Sequence, residues 1–296
     1  MARSKPKPLF LRRGHSLAQD LVGAWLLTEG CGQTVRDGSG LGSHATMVNM
    51  PPATSWVTSP FGPAIQLPDS ATATDCVQTA VGLADLNPTG EMTLVAWAWH
   101  NGFSSATNAY WNMAAKGSVF QIGFGLCVYH QAPNFTNVDF WTRGAALTVV
   151  EKQMTNAEFS AFWPAGTWKC VAGVLQGGKG RLYVDAVEAA SEDSMSAPGS
   201  TLNLPFCIGG SSNGHAVDRT WPGRLALVIL FRRALAVDEL ARLYAEPCVA
   251  FRPRRRTAFV HRVSGPYRVA SGQCWHTGAT AGQTFGTGQT AGQIHG

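Results

Sequence analysis

The chain has 296 residues, of which 45% are hydrophobic and only 14% are charged, and its formal net charge is +5. This length suits one large domain with extensions or two small domains. The low charge, together with 33 Gly and 10 Trp, excludes a disordered chain, which would be rich in charge and poor in aromatic residues. A rigid β-sheet protein with many turns is the class that this composition predicts.

Basic residues are concentrated at the two ends of the chain. Residues 1–13 contain five basic residues and no acid, and residues 247–296 contain six arginines and no acid. Because the whole chain has a net charge of +5, the segment between the ends is net acidic. Basic arms of this kind meet nucleic acid, an anionic surface or an acidic neighbouring subunit.

The cysteines and the N-terminal segment indicate the compartment. There are seven cysteines, none in a CxxC pair, and Cys127 and Cys170 lie inside apolar runs, which predicts buried thiols instead of a disulfide scaffold. No apolar stretch of adequate length follows the basic residues 1–7, so we expect no signal peptide. No segment approaches the ~20 apolar residues of a membrane span. We therefore expect folding in a cytoplasm and no membrane partner.

The chain begins with a predicted extended arm over residues 1–19, where Pro6 and Pro8 block regular structure. Apolar runs between turn residues then predict a series of strands. These are 21–27, 44–49, 64–67, 92–99, 120–130, 138–142, 168–175, 181–189, 205–209 and 224–231. The strand at 92–99 is apolar on both faces, which predicts a central position in its sheet. Together these runs predict an all-β fold of two packed antiparallel sheets.

The remaining segments carry weaker patterns. Residues 101–119 and 145–166 are interpreted as long insertions, the second with a short helix near 151–159. Val237, Leu240 and Leu243 have helical spacing, and Pro247 ends that helix. The sequence thus predicts a basic arm at 1–19, a sandwich closing with one short helix at 20–248, and a basic, then Gly/Thr/Gln-rich, tail at 249–296.

Several segments follow, in the same order, the sequence pattern of a known domain family. They are residues 21–30, 37–45, 61–67, 92–97, 168–172, 182–185, 207–210 and 233–244. Over about residues 20–247, the chain resembles the laminin-G-like, concanavalin A-like lectin/glucanase jelly-roll domains of phage and bacterial proteins. The resemblance implies a jelly-roll sandwich but leaves function open, because this fold carries lectins, glycosidases, adhesins and structural modules.

Some residues depart from that family pattern. Ala226 and Leu227 stand where the family often has an acidic pair, Ala186 stands where it has Gly, and Ala236 replaces a polar helix N-cap. Glycosidases need two carboxylates on one face, about 5–5.5 Å apart in retaining enzymes. The acidic pairs found in the sequence, at 192–193 and 238–239, are adjacent residues that read as solvated surface acids. We therefore expect no carboxylate pair at glycosidase separation across the concave sheet and no enzyme activity.

Candidate ligand and metal residues are few. Asp37 and Ser39 provide oxygens for a calcium ion, but an Asx turn at Asp37 is the favoured alternative, and no other cofactor is predicted. Aromatic side chains in or near the two insertions could stack on a sugar ring, or could fill space beneath long loops, which is the favoured interpretation. These side chains are Tyr110, Trp111, Trp141 and Trp163.

The function that the sequence favours is that of a non-enzymatic virion protein, such as a phage capsid decoration, tail or fibre-associated subunit. The alternative is a glycan-binding or adhesion module, with glycoside hydrolysis third. Predicted assembly residues lie in the C-terminal tail: Arg252, Arg254, Arg255, Arg256, Phe259, Tyr267, Trp275 and Phe285. The expected partners are further copies of the chain or other particle subunits, and a host-surface glycan under the alternative. Nucleic acid is not expected, because the basic run has no readable motif.

Overall fold

A computed structural model describes residues 9–68, 75–103, 108–131, 134–212 and 218–253. The chain divides into a unit of residues 1–255 and a unit of residues 256–296, and the second unit lies outside the described residues. The Gly/Thr/Gln-rich part of the tail and the predicted assembly residues beyond Pro253 therefore lie outside them as well.

The described residues form strands with three short α-helices. The first strands are β1 (Leu9–Leu11), β2 (Leu21–Trp25), β3 (Thr34–Val35), β4 (Ala45–Val48), β5 (Trp56–Ser59), β6 (Gly62–Gln66), β7 (Cys76–Thr79), β8 (Met92–His100), β9 (Ala109–Lys116) and β10 (Gly123–Gln131). The others are β11 (Phe135–Arg143), β12 (Leu147–Thr155), β13 (Trp168–Gln176), β14 (Lys179–Val184), β15 (Val187–Glu192), β16 (Phe206–Ile208), β17 (Asp218–Thr220), β18 (Gly223–Phe231) and β19 (Phe251–Pro253). The helices are α1 (Pro52–Ser55), α2 (Asn156–Phe162) and α3 (Val237–Ala245). No helix in these described segments is long and apolar enough to span a membrane.

Two large sheets confirm the predicted jelly-roll sandwich. The nine-stranded sheet has the order β12-β11-β10-β9-β16-β7-β4-β3, and β17 pairs with β9 in parallel, whereas the other pairs in that sheet are antiparallel. The eight-stranded sheet has the order β15-β14-β13-β8-β18-β6-β5, and β2 also pairs with β18. The apolar strand β8 lies between β13 and β18, which is the central position that its pattern predicts.

A large apolar core fills the space between the two sheets. Met92 and Leu94 of β8 belong to the same buried cluster as Leu126 of β10 and Phe140 of β11. The sheets approach closely at Gly173 of β13, because a Cβ atom there would clash with the Phe140 ring. Cys127 and Cys170 are buried, as the apolar runs around them predict.

A second apolar layer covers the outer face of the eight-stranded sheet. Leu240 and Leu243 of α3 are buried in one cluster with Val95 and Trp97 of β8. The helix begins without a side-chain N-cap at Ala236, as the sequence predicts. This layer shields the outer face of β8, β13 and β18 from solvent.

An ion pair fixes α3 to the sheet that it covers. The guanidinium of Arg233 makes two hydrogen bonds of 2.7 Å to the carboxylate of Glu239. Arg233 also donates to the backbone oxygens of Ser16 and Gln19. One side chain therefore joins the N-terminal segment, the end of β18 and the last helix.

The two ends of the described chain pair with each other. In the β1–β19 ribbon, Leu9 lies opposite Pro253 and Leu11 lies opposite Phe251. Leu17 and Phe251 are buried in the outer apolar layer. Residues 9–18 and 249–253, which the sequence assigns to arm and tail, thus contribute to the folded sandwich.

Both predicted insertions contain strands that the sequence analysis missed. β9 carries a register shift against β10 at Leu126/Cys127, which breaks the period of two that identifies a strand. β12 is an edge strand in which only Val150 and Met154 are buried, so its apolar signal is weak. The predicted helix begins at Asn156, where Thr155 and Glu158 form a capping box.

Candidate binding site

Polar residues line up across the outer face of the nine-stranded sheet. Cys127 of β10 lies opposite Asn112 of β9 on one side and Asp139 of β11 on the other. Asp139 in turn lies opposite Glu151 of β12. Val138, next to Asp139, belongs to the inter-sheet core, so the row faces away from that core. Directly opposed residues place their Cβ atoms about 4.5–5.5 Å apart.

Strand alternation adds Asn137 and Trp141 of β11 to the same face. The polar patch, as we call it, comprises Asn112, Asn137, Asp139, Trp141 and Glu151. Its members except Glu151 are buried, whereas Glu151 is exposed at the edge of the sheet. The patch therefore runs from solvent at β12 to a covered region at β9.

Four atoms of the polar patch have unmet hydrogen-bonding capacity. Asn112 Oδ1, Asn137 Oδ1, Asp139 Oδ1 and Trp141 Nε1 are buried and have no hydrogen-bond partner among the described residues. Buried polar atoms in folded proteins are nearly always paired, and leaving one unpaired costs about 1–3 kcal/mol. Four such atoms on one face mark a place where water or a polar ligand completes the bonding.

Asp139 is electrostatically unusual. Burial raises its pKa well above the ordinary value, and the nearby charge of Glu151 raises it further. Glu151 Oε2 accepts a hydrogen bond of 2.8 Å from Asn137 Nδ2. The pKa of Tyr129 is also raised, by burial and by the charge of Asp139. Asp139 thus retains its proton to a higher pH than an exposed aspartate would.

The sequence analysis did not anticipate this carboxylate pair. Asp139 and Glu151 face each other in the β11–β12 pairing, whereas the acidic pairs noted in the sequence are adjacent residues. Asp139 and Glu151 are brought together by strand pairing, which no local spacing reveals. The polar residues Asn137 and Asp139 within a buried strand were the signal in the sequence that could have indicated this site.

Aromatic rings border the polar patch. Tyr110 and Tyr129 stack with their ring centroids 4.3 Å apart, and both are half-buried. The Phe120 ring meets Tyr110 edge-on at 5.8 Å. Trp141 lies across Gly125, where a Cβ atom would come within 2.9 Å of the indole. The small residue on β10 thus leaves room for the large ring on β11.

Loop 117–122 lies over the Trp141 end of the patch. Val119 packs in a small buried cluster with Cys127 and Trp141, and its carbonyl accepts a 2.6 Å hydrogen bond from Arg143 Nη1. Gly117 and Gly123 have positive φ of 91° and 156° at the neck of the loop. A Cβ atom at either position would clash with backbone across the neck, so this closure requires glycine.

The four predicted aromatic residues separate into two groups. Tyr110 and Trp141 lie at the polar patch. Trp111 and Trp163 are buried in the inter-sheet core, where Trp111 packs on Phe103 with ring centroids 4.7 Å apart. The rings of these two residues are therefore not available to a sugar, and Trp141 is itself buried beneath loop 117–122.

Asp37 anchors a loop. Its carboxylate accepts hydrogen bonds from the backbone nitrogens of Ala24, Ser39 and Ser43 at 2.8–3.1 Å and from Ser39 Oγ at 2.6 Å. This arrangement is the Asx turn of the favoured alternative, and both carboxylate oxygens are occupied. Within the described segments, no group of three His, Cys, Asp or Glu residues is placed to hold a metal ion.

Comparison with solved structures shows the same fold in other proteins. The binding domain of Paraclostridial Mosquitocidal Protein 1 matches with a TM-score of 0.57 and 12% identity, over 77% of this chain and 52% of that one. Domain 4 of AbnA, a GH43 arabinanase from Geobacillus stearothermophilus in complex with arabinotriose, matches with a TM-score of 0.51 and 15% identity, over 76% and 98%. Trypanosoma rangeli sialidase matches with a TM-score of 0.52 and 16% identity, over 78% and 33%. At these identities the likeness establishes the fold, and the chain spans about half of the mosquitocidal-protein chain.

Comparison of sequences gives the family. No curated protein matches the sequence significantly. A family model described as the concanavalin A-like lectin/glucanases superfamily matches residues 71–241, which is more than half of the chain. This segment contains the polar patch and most strands of both sheets. The chain therefore belongs to the concanavalin A-like lectin/glucanase superfamily, as its sequence pattern predicts.

Proposed function

We propose that this domain is a non-catalytic carbohydrate-binding module and that a saccharide binds at the polar patch. The observation that carries this proposal is the set of four buried, unpaired polar atoms on one sheet face. A saccharide hydroxyl both donates and accepts, as these groups require. The arabinotriose complex of the AbnA domain supports this class of ligand on this fold.

The surroundings of the patch suit a sugar. The Tyr110–Tyr129 pair places half-buried rings beside the polar atoms, and aromatic surfaces combine apolar contact with a polar edge. Since the unpaired atoms are covered, a ligand reaches them only when a covering segment moves. Loop 117–122, held at Gly117 and Gly123, is the described segment over the patch.

The test is a glycan-array screen followed by calorimetry of the best ligand. We expect Asn112→Ala and Asp139→Asn to weaken binding at least about tenfold, the size of one lost hydrogen bond to a charged or buried group. Asp193→Asn is the matched control, because Asp193 is exposed on the β14–β15 side and should bind like the wild type. Equal binding by the patch variants, or no binding to any glycan, would contradict the proposal.

Glycoside hydrolysis is the second candidate, and the Asp139–Glu151 pair is the observation that favours it. A buried acid with a raised pKa next to an exposed carboxylate is the combination used by hydrolases that divide acid and base roles between two residues. Release of reducing ends by the wild type, lost in Asp139→Asn and kept in Asp193→Asn, would replace the non-catalytic proposal. We expect no release from any bound glycan.

We further propose that the module is carried on a phage particle as a structural subunit. In support, Leu9 of β1 and Pro253 of β19 are paired, so the described parts of the two basic segments lie side by side, while the segment between them is net acidic. Charge of opposite sign on a neighbouring copy would attract these segments, and salt would weaken the attraction.

A chain ending at Pro253 tests this assembly role. Compared with the full chain in sedimentation experiments at low and high salt, it should fold normally but lose self-association or incorporation into the particle. Undiminished assembly of the shortened chain would contradict the proposal.

A further inference from the structure

The hydrogen-bonding character of the polar patch specifies its ligand further. We infer that the saccharide bound there carries a protonated amine, as in a de-N-acetylated hexosamine. The inference rests on the proposed carbohydrate-binding function. It follows from two independent features, the kind of unpaired atom and the balance of charge.

The unpaired atoms are mostly acceptors. Three of the four are oxygens, on Asn112, Asn137 and Asp139, and only Trp141 Nε1 is a donor. The orientation of both amides follows from their own bonds, since Asn112 Nδ2 donates to the Tyr110 carbonyl and Asn137 Nδ2 to Glu151. A protonated amine has three donors and no acceptor, so it matches this set better than a hydroxyl or a carboxylate.

The charges at the polar patch also favour an ammonium group as the ligand. Asp139 and Glu151 face each other across β11 and β12, and Glu151 is the charged group that shifts the pKa of Asp139. Arg143 donates to the carbonyl of Val119, and Lys152 lies opposite Val138 on the other face of the sheet. An anionic ligand would be repelled by Glu151 and would oppose ionisation of Asp139, whereas an ammonium group compensates Glu151 and the charge that Asp139 acquires when it ionises.

Lys116 does not neutralise the patch either. It lies opposite Phe124 and Phe206, both of which belong to the inter-sheet core. Burial lowers its pKa to about 8. The patch therefore keeps its acidic character among the described side chains.

The aromatic border adds a third attraction. The stacked rings of Tyr110 and Tyr129 adjoin Asp139, whose charge affects the pKa of Tyr129. A cation near a tyrosine face is attracted by the ring, with about 0.5–1 kcal/mol at exposed sites. The carboxylate, the amide oxygens and the tyrosine rings thus lie on the same face of neighbouring strands, and each attracts an ammonium group.

The experiment compares three oligosaccharides of equal length by calorimetry at a slightly acidic pH and fixed ionic strength. The probes are a glucosamine oligomer, the matching N-acetylglucosamine oligomer and a galacturonate oligomer. We expect the glucosamine oligomer to bind at least about tenfold more tightly than its N-acetylated counterpart. The galacturonate oligomer should bind most weakly.

Matched variants separate the patch from general attraction to an acidic protein. Asp139→Asn with Glu151→Gln removes two acids at the patch, and Glu188→Gln with Asp193→Asn removes two acids on the opposite sheet, where both are exposed. The patch variant should lose the preference for the amine, and the control should keep it. Glu151→Gln alone, at an exposed position, should reduce the preference even if the double variant folds poorly.

The outcomes are distinguishable. Equal binding of the amine and N-acetylated oligomers by the wild type would overturn the inference and leave the proposed function intact. An equal loss of preference in the patch and control variants would overturn it too, since that result indicates non-specific attraction. Failure of every oligosaccharide to bind would remove the proposed function and this inference together.

Discussion

The outer faces of the two sheets are built in opposite ways. The eight-stranded sheet presents apolar side chains such as Trp97 and Ile229, which α3 covers with Leu240 and Leu243. The nine-stranded sheet presents the polar patch, which is covered at one end by loop 117–122. One cover removes apolar area from water, and the other encloses polar atoms that lack partners.

This difference distinguishes a sheet face that stabilises the fold from a sheet face whose polar atoms folding alone does not explain. Burying apolar area stabilises the fold by about 25 cal/mol per Å². Stability of the fold is therefore a sufficient reason for the apolar layer under α3. Unpaired buried polar atoms cost stability, so folding alone gives no reason for the polar patch. Natural proteins break packing rules mainly where a site requires it, and the predictions below test whether the two faces divide in this way.

The largest effect is expected from Trp97→Ala. Trp97 is 2% exposed within the outer apolar layer, and truncating a buried aromatic residue typically costs about 3–5 kcal/mol. Urea unfolding measures this loss. Trp141→Phe on the other face is the comparison, because it keeps an aromatic ring and deletes an unpaired N–H, so it should change stability by less than about 1.5 kcal/mol. Equal losses would show that both faces are structural.

The terminal ribbon should account for the next largest effect. A chain ending at Ala250 lacks β19 and the buried Phe251 ring, and full burial of such a side chain is worth about 1.5–3 kcal/mol. A chain ending at Pro253 retains both. Thermal melting should therefore place the Ala250 chain below the full-length chain and the Pro253 chain beside it. A Pro253 chain that melts like the Ala250 chain would show that residues after 253 support the fold.

Asp139→Asn tests the polar face through pH. The pKa of Asp139 in the folded state is raised above the ordinary value of 3.8, so the unfolded chain releases this proton first. The wild type therefore loses stability as pH rises from about 3.8 through the folded-state pKa. The variant cannot ionise there, so its stability relative to the wild type should increase from pH 4 to pH 7.

Denaturant midpoints of both proteins across this range measure the Asp139 effect. A difference between variant and wild type that does not change with pH would contradict the raised pKa. Glu151→Gln supplies a second check, because removing the neighbouring charge should make the pH dependence weaker while leaving the contribution of burial.

The smallest effect concerns a turn outside both faces. Ala186 has a φ of +64° between β14 and β15, and a left-handed conformation costs a residue other than Gly about 1–2 kcal/mol. Ala186→Gly should stabilise the protein by about 1 kcal/mol in thermal melting. Ala189→Gly, within β15, should instead destabilise it by about 0.5–1 kcal/mol. A loss of stability in Ala186→Gly would contradict strain at this turn.

The sequence by itself determined the two-sheet class, the central position of β8 and the terminal helix α3. These features follow from local patterns, since period-two or continuous apolar runs define strands and helical spacing defines α3. The same patterns also identified the family. Among the missed strands, a register shift weakens the pattern in β9 and an edge position weakens it in β12. The short strands β3, β5, β7 and β17 were missed as well.

Only the tertiary structure decided where the candidate site lies. Asp139 and Glu151 meet because β11 and β12 pair in one particular register, and a shift of one residue would send the two side chains to opposite faces. Leu9 and Pro253 likewise meet through pairing of strands from the two ends of the described chain. Local sequence fixes which residues form strands and helices, whereas long-range pairing fixes which side chains share a face, and the chemistry of this protein depends on the latter.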